Sequence, residues 1–394
     1  MEGYPVLIFG HFLQKYESRR KYTDLELQNH KKLISNYVTP KIEYSNLRND
    51  FGSEKDYLTS NERIFKLNQY FSKKHWLYIH SPLKLLEIFN LIKPNAVIVE
   101  NEPHSFVTIE VFLIYKLWTI FTKKKKKFII FSWDNLNRRD NPLRSFYKKI
   151  VDKFITQNIN LVICGNSKCK ENFKSRGLED SNLVVHPQVG IDLEGIKKVE
   201  KNVKVSLPKK TINLFYCGRI VYEKGVHLVL RSHEKLIKEG YKIRTIIAGH
   251  GEGKYYQKIK KEASKIESLI LLKTLKKDEM YEKFSESHIF ILASIATKEW
   301  AEQFGLTVAE AMACKNCLAI GSNCGAIPEV ISNEKLIFKQ NSLTSLYELL
   351  LFLIKNDDIR DSYSIKQSKF ARDNYSFQSV ADLYGNSLSE VFFK

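Results

Sequence analysis

No apolar run in the sequence reaches the ~20 residues needed to span a bilayer. The longest, from Phe106 to Phe121, is broken by Glu110 and Lys116 and predicts a buried amphipathic helix. The start, Met1 to Phe12, has no basic stretch leading into the apolar core of roughly 7–15 residues that marks a secretory signal, so the protein is expected to stay in the cytoplasm. Six cysteines (Cys164, Cys169, Cys217, Cys314, Cys317 and Cys324) form no disulfide framework, and a chain of this length can build a core without one. Cys314 and Cys317 are spaced as a Cys-x2-Cys pair, but a closed zinc site wants a second pair at compatible spacing. Cys164 and Cys169 lie far off with a longer gap, so the pair predicts small buried residues at a helix-to-strand turn. Internal repeats and low-complexity tracts are also missing, apart from the basic run Lys123–Lys127, which reads as a solvated turn.

Acidic residues are in deficit: 44 Asp and Glu face 63 Lys and Arg, for a net charge of +19. Through Val205 the sequence has 35 Lys and Arg against 22 Asp and Glu, so 13 of the excess charges fall in the first half. Such a field suits an anionic partner, whether nucleic acid, acidic glycan or lipid headgroups, and charge alone does not choose among them. Hydrophobic residues at 43%, charged residues at 27% and aromatics at 12% describe a folded chain and exclude a disordered one. At 394 residues it exceeds the size of a single core, which predicts two domains of roughly 150–200 residues.

Short β-rich runs alternate with longer segments of helical period, the pattern of βαβ units in parallel sheets. In the first half strands are expected near Val6–Phe9, Ala96–Glu100, Phe128–Ser132, Leu161–Cys164 and Leu183–His186. Apolar residues at three- and four-residue spacing predict helices over Asp24–Ser35, Pro82–Ile92, Ser105–Phe121 and Ser167–Arg176. A polar, basic stretch from Asp192 to Lys210 lacks convincing periodicity and reads as a linker. A second series follows, with strands at Ile212–Cys217, Lys242–Ala248, Leu269–Leu272, Ile289–Leu292 and Cys317–Ile320, then helices at Leu343–Lys355, Ile359–Arg372 and Gln378–Phe393. Ligands of such sheets bind beyond the carboxyl ends of the strands.

Four constellations follow strands of the second series. In Gly218-Arg219-x3-Glu223-Lys224-Gly225 a glycine lets the backbone turn at the strand end, and two cations five positions apart can reach one diphosphate; a solvated loop with two surface charges is the plainer reading. In Ala248-Gly249-His250-Gly251 the glycines allow close approach of a ligand or of a neighbouring backbone, and His250 is either a base or sugar contact or a turn histidine. The third runs from Glu302 to Cys314. Gly305 precedes a run of strong helix formers, which places the amides of Leu306 and Thr307 at a helix N-terminus suited to phosphate. Glu310 would stand just over one turn into that helix, where a carboxylate can accept from two vicinal ribose hydroxyls. Glu302 in the preceding loop could meet the hydroxyls of a sugar. Apolar neighbours Val308, Ala309, Ala311 and Met312 make an unpaired Glu310 costly. The fourth, Ser322-x2-Gly325-x2-Pro328-Glu329-Val330, supplies a glycine turn and a proline at the head of a short helix, with no chemistry required.

This order of residues, from Glu302 to Val330 with Gly218-Arg219 and Glu223-Lys224-Gly225 upstream, resembles the retaining glycosyltransferases of family 4. The likeness covers the second half, with echoes at Leu161–Asn166 and His186-Pro187-x2-Gly190-x-Asp192. It implies an α/β chain of GT-B fold, two Rossmann-like parallel-sheet domains facing across a deep interdomain cleft. Residues 1–191 would form the acceptor-side domain, 192–210 the linker, 211–375 the nucleotide-sugar domain, and 376–394 a helix packing back on the first domain. By the same resemblance Arg219 and Lys224 bind the donor diphosphate, Glu310 the ribose, and Glu302 the donor sugar near the reacting carbon. Gly305 and Leu306 offer amides to the phosphates, with Gly218, Gly249, His250, Phe304 and Thr307 completing the donor side. Glu302, Arg219 and Lys224 are the expected catalytic residues.

The chain departs from the family pattern at three places, the last two of them on the acceptor side. Lys315-Asn316 replaces the usual glycine after the helix, a place where asparagine tolerates left-handed angles. The first strand is followed only by Gly10-His11, without a glycine-rich loop. Trp133-Asp134-Asn135 stands where some members carry a histidine. Gly10, His104, Trp133, Asp134 and Asn135 are therefore the acceptor-side candidates, with His104 equally readable as a turn histidine. No cofactor and no metal are expected, since the chain has no Asp-x-Asp pair and the two cations can stabilise the leaving diphosphate. The expected partners are a nucleoside-diphosphate sugar, a glycan or lipid-linked acceptor, and an anionic membrane touched peripherally at its inner face; nucleic acid is not. The alternatives are a non-catalytic GT-B protein that binds glycan or nucleic acid, and a nucleotide-sugar epimerase.

Overall fold

The computed structural model describes residues 3–28, 33–41, 63–71, 77–123, 126–136, 142–202 and 211–393. The chain divides into two compact units at Gly190–Ile191 and again at Ser376–Phe377, so its last helix belongs with the first unit.

The first unit holds strands β1 (Tyr4–Phe9), β2 (Leu33–Pro40), β3 (Arg63–Leu67), β4 (Ala96–Glu100), β5 (Lys127–Ser132), β6 (Leu161–Cys164) and β7 (Leu183–Val185). They pair in parallel in the order β3-β2-β1-β4-β5-β6-β7. Helices α1 (Tyr16–Leu27), α2 (Pro82–Ile92), α3 (Phe106–Thr122), α4 (Pro142–Thr156) and α5 (Ser167–Ser175) accompany them. Strand residues alternate between two buried layers, as the period of two requires. Val97 and Val99 join Phe89 of α2 and Phe112 and Trp118 of α3. Ala96 and Ile98 pack with Tyr22 of α1 on the opposite face.

The second unit opens with α6 (Leu193–Asn202) and continues through β8 (Ile212–Cys217), α7 (Val226–Lys238), β9 (Ile243–Ala248), α8 (Gly253–Ala263), β10 (Leu269–Leu272), α9 (Lys277–Ser285) and β11 (Ile289–Leu292). Then come α10 (Leu306–Ala313), β12 (Leu318–Ser322), α11 (Ile327–Ile331), β13 (Ile337–Phe338), α12 (Leu343–Lys355) and α13 (Asp357–Tyr375). Its sheet runs β10-β9-β8-β11-β12-β13, also parallel. The closing helix α14 (Phe377–Phe393) lays Val380, Tyr384 and Leu388 on the first sheet beside Tyr22. Strand order reverses between β1 and β4 in one sheet and between β8 and β11 in the other, and these switch points open ligand crevices at the strands' carboxyl ends.

Several expectations need correction. The helix over Asp24–Ser35 is instead the end of α1 followed by β2. Leu25 and Leu27 belong to α1, while Leu33 and Ile34, read as the continuation of the same helix, open β2 ahead of the β-favouring run Tyr37-Val38-Thr39. β3 and α4 carried no expectation at all. The stretch Asp192–Lys210 is not linker throughout, because α6 occupies its first half, with Ile196 and Val199 buried on one side at three-residue spacing. Positions 203–210 of that stretch, and Lys124 and Lys125 of the basic run, lie outside the described residues. Among the described residues no helix is long and apolar enough to cross a membrane.

Candidate active site

The loops after β8 and β11 meet at the switch point of the second sheet. Tyr216 at the end of β8 is fully buried, and its hydroxyl donates to the carbonyl of Arg219 at 2.7 Å, which folds the Gly218-Arg219 turn back on its own strand. Burial pushes the Tyr216 hydroxyl well above its ordinary pKa, and the thiol of Cys217 adds to this, so it stays a neutral donor. Arg219 is exposed. The adjoining turn after β9 is zipped to this one by Ile220 N donating to His250 O at 2.8 Å. A Cβ on Gly249 would lie 1.8 Å from the Gly218 carbonyl oxygen, so Gly249 is required by a neighbouring backbone. His250 points to solvent, 3.3 Å from Glu252.

Lys224 and Glu302, 78 positions apart, meet at 2.6 Å between Nζ and Oε2, and both are buried. Ser294, two residues past β11, donates to the same carboxylate oxygen at 2.9 Å, and the Trp300 ring lies 4.8 Å from the ammonium. Two glycines hold the pair in register. Gly225 (φ 63°) brings the Lys224 turn so close to β11's continuation that a Cβ would stand 1.9 Å from Ala293 O. Gly325 (φ 57°) does the same to the Glu302 backbone, where a Cβ would stand 2.0 Å from its oxygen. Ala326 N then donates to that oxygen at 3.0 Å. The fourth sequence constellation thus serves as the clamp for Glu302.

Gly305 caps α10 in the left-handed region (φ 85°). The first intrahelical donors are Val308 and Ala309, both to Gly305 O, so the amides of Leu306 and Thr307 precede the helical ladder. Glu310, one turn further, is 2% exposed, and Tyr281 of α9 reaches its Oε1 at 3.3 Å. That hydroxyl offsets part of the cost of a carboxylate among Val308, Ala309, Ala311 and Met312. Phe304 stacks edge-on against Tyr375 of α13 at 5.4 Å and so serves packing in this arrangement. Cys314 and Cys317 are buried thiols at the end of α10 and before β12, their pKa values raised by burial. Among the described residues no group of three or more His, Cys, Asp or Glu side chains could hold a metal ion.

In the first unit the acceptor-side candidates gather beyond β1, β4 and β5. Gly10 sits close against Glu100, where a Cβ would be 3.2 Å from the Glu100 Cβ. Glu100 takes Lys21 and the Tyr22 hydroxyl, each at 2.8 Å, on one oxygen, and Gln188 at 3.0 Å on the other. Gln188 in turn accepts from the Trp133 indole at 3.1 Å, while Trp133 N and the Ser132 hydroxyl donate to Glu102. Burial, then the charge of Asp134, raise the Glu102 carboxyl to about 7 against the pull of those donors. Asp134 pairs with Arg176, which also meets Asp152 of α4 at 3.2 Å. His104 stands 3.4 Å from the other Asp152 oxygen, and Asn135 is buried. Trp133, Asp134 and His104 are therefore engaged by the unit's own side chains. Glu102 was not among the candidates read from the sequence; a carboxylate two positions past the end of β4 and two before His104 was its one sequence signal.

Residues 197–370 match the family described as "Glycosyl transferases group 1". Among curated proteins, the phosphatidylinositol N-acetylglucosaminyltransferase GPI3 subunit of Saccharomyces cerevisiae is 26% identical over 235 residues, 58% of this chain and 50% of that one. The first curated relatives are matched over between about half and 62% of their own lengths. A glycosyltransferase from Rickettsia africae superposes with a TM-score of 0.75 at 14% identity, covering 100% of both chains. HepE of Anabaena, solved in complex with UDP, gives 0.68 at 11% identity over 98% of this chain and 100% of that one. The fold is GT-B. Lys224 and Glu302 follow β8 and β11, the strands on either side of the second sheet's switch point, and Gly10 and Glu102 follow β1 and β4 at that of the first.

Proposed function

We propose that this GT-B protein is a retaining glycosyltransferase of family 4, moving a hexose-type sugar from a nucleoside-diphosphate sugar to a hydroxyl of a glycan or lipid-linked acceptor. The observation that carries the reading is the buried Lys224–Glu302 pair at the β8/β11 switch point, beside exposed Arg219 and the N-terminus of α10. The match over residues 197–370, the UDP in the HepE complex and the phosphatidylinositol in the name of the GPI3 relative support it.

In this mechanism the bond between the anomeric carbon and the β-phosphate oxygen breaks, and negative charge builds on the departing diphosphate. Arg219, Lys224 and the amides at Gly305 to Thr307 stabilise that charge, and the amides, fixed by the start of α10, do so without reorganising, which is where electrostatic catalysis gains most. Lys224 gives up Glu302 for phosphate, and the freed carboxylate faces the sugar hydroxyls. Glu310 takes the ribose. The acceptor oxygen attacks from the face the diphosphate leaves, its proton passing to the leaving phosphate oxygen, with no metal required. Peripheral contact with an anionic membrane belongs to the same reading.

Incubation with a panel of UDP- and GDP-sugars and hydroxyl acceptors, followed by NMR of the product anomer, tests it. Acceptor-dependent release of nucleoside diphosphate with retained configuration is expected. Tight nucleotide binding without transfer would favour the non-catalytic alternative, and interconversion of the sugar without acceptor would favour the epimerase.

A further inference from the structure

The basic run Lys123–Lys127 reads from the sequence as a solvated turn, and the surface that stands out in three dimensions is on α4. Leu143, Phe146, Ile150 and Phe154 recur at three- and four-residue spacing along this helix and are 82%, 65%, 53% and 52% exposed. Rings join the helix to α3, Phe154 against Phe112 at 5.5 Å and Tyr147 against Phe106 at 6.5 Å. The exposed apolar surface continues onto α3, whose last turn presents Ile120 and Phe121 at 71% and 77% exposure. An apolar groove of about 500 Å³ between α3, Tyr147 and the start of α2 lies within it. Monomeric proteins rarely leave so many large apolar side chains together in water.

Charge says what covers this face. Lys149 and Lys153 flank the stripe and are exposed, and Lys123 is exposed at the end of α3. The acidic residue of α4, Asp152, is turned inward to Arg176 and His104. Protein interfaces are depleted in lysine, whereas a stripe of Leu, Phe and Ile bordered by lysines is how a helix lies in a lipid headgroup boundary. We propose that the α3–α4 face docks flat on an anionic phospholipid bilayer, with Leu143, Phe146 and Ile150 entering the acyl boundary and Lys123, Lys149 and Lys153 on headgroup phosphates. This deepens the proposed function by placing the first unit where a lipid-linked acceptor is embedded, and it rests on that reading only for its purpose.

The test is flotation of the full chain with vesicles of phosphatidylcholine alone or mixed with phosphatidylglycerol, without donor. Binding to the mixed vesicles that high salt reverses is expected. Phe146→Ser with Ile150→Ser, at positions too exposed to unfold the protein, should lower partitioning roughly tenfold or more. Lys149→Gln and Lys153→Gln should each lower it about fivefold at low salt. Equal recovery of the wild type with both vesicle types overturns the proposal. So does a wild-type dimer by light scattering that the Phe146/Ile150 variant dissociates, which would make a second copy the occupant. Titration of the same variants with nucleoside diphosphate reports on the donor site separately and should be unchanged, so loss of one reading is not loss of the other.

Discussion

Lys224 and Glu302 form an ion pair at 2.6 Å in which both side chains are about nine-tenths withdrawn from solvent. A buried pair returns little net stability, because desolvation consumes most of the attraction, but removing one partner strands the other. In the proposed mechanism the pair is a cation kept ready for a second anion, the donor diphosphate. Ser294 donates to the same Glu302 oxygen at 2.9 Å and would stay on the carboxylate if Lys224 turned to a phosphate.

Arg219 and Lys224 should therefore separate in their effects. Arg219→Ala removes one exposed charge-assisted contact and is expected to weaken nucleoside-diphosphate binding by roughly 1.5–3 kcal/mol with unchanged stability. Lys224→Ala should weaken binding comparably and also lower unfolding stability, by up to about 3–5 kcal/mol, since Glu302 is left buried without its cation. Calorimetric titration and urea unfolding of both variants decide it. Equal stability of the two would show that the pair is not coupled to the fold.

The two carboxylates should divide between rate and binding. Glu302→Gln keeps an acceptor for Ser294 and is expected to lose kcat with modest change in donor KM, because contact with the transferred sugar strengthens in the transition state. Glu310→Gln can still accept from Tyr281 and should mainly raise donor KM, as lost uniform binding does. Identical kinetic defects would remove the assignment of ribose to one and sugar to the other.

How far the sequence disclosed this site depends on what each residue does for the chain. Gly218-Arg219, Lys224, Gly305 and the eight-residue interval from Glu302 to Glu310 were legible because turns and helix starts constrain residue type locally. Ser294 and Tyr281 were not, since a serine after a strand or a tyrosine within a helix has no spacing that announces a partner elsewhere in the chain. Gly325 was visible only as a turn residue; its approach to the Glu302 backbone is a tertiary fact. The alternating parallel architecture was legible from β-rich runs such as Val6–Phe9, whereas β2 was hidden behind a false helical stripe. The helical period of α4 is present in the sequence, with Leu143, Phe146, Ile150 and Phe154 at three- and four-residue spacing, and went unread; that this stripe faces outward is a tertiary fact.

Gly325→Ala should behave as a displaced Glu302. Its Cβ would stand 2.0 Å from the Glu302 carbonyl oxygen and 2.8 Å from its nitrogen, so the clamp must open. A loss of kcat comparable to Glu302→Gln is expected, together with about 1–3 kcal/mol of stability. Gly177→Ala is the control, since Gly177 has φ 91° but nothing within 4 Å of the added carbon. It should cost only the backbone strain, about 1 kcal/mol, with kinetics unchanged. Full activity in Gly325→Ala would show that the Ser322–Val330 segment does not position Glu302.

Glu110 gives the fold a pH dependence of its own. It lines the apolar groove between α2, α3 and Tyr147, accepts from His80 N at 2.8 Å, and is raised from 4.5 to about 7 by burial, against the pull of that bond. Around it, His80 is held below its usual range by burial and directs Nδ1 to Asn68 O, and the Tyr147 hydroxyl is raised by burial, so both are neutral near pH 7. A carboxyl whose folded pKa exceeds its unfolded one contributes stability fully present below the unfolded value and lost as pH rises through the folded one. The window here is therefore from about 4.5 to about 7. After discounting for partial solvent access, the loss amounts to about 1–2 kcal/mol. Glu110→Gln keeps the acceptor for His80 and cannot ionise, so it should match the wild type in urea unfolding at low pH and exceed it by about 1–2 kcal/mol above neutrality. A variant whose stability difference from wild type is the same at both pH values would mean that Glu110 does not titrate in this window.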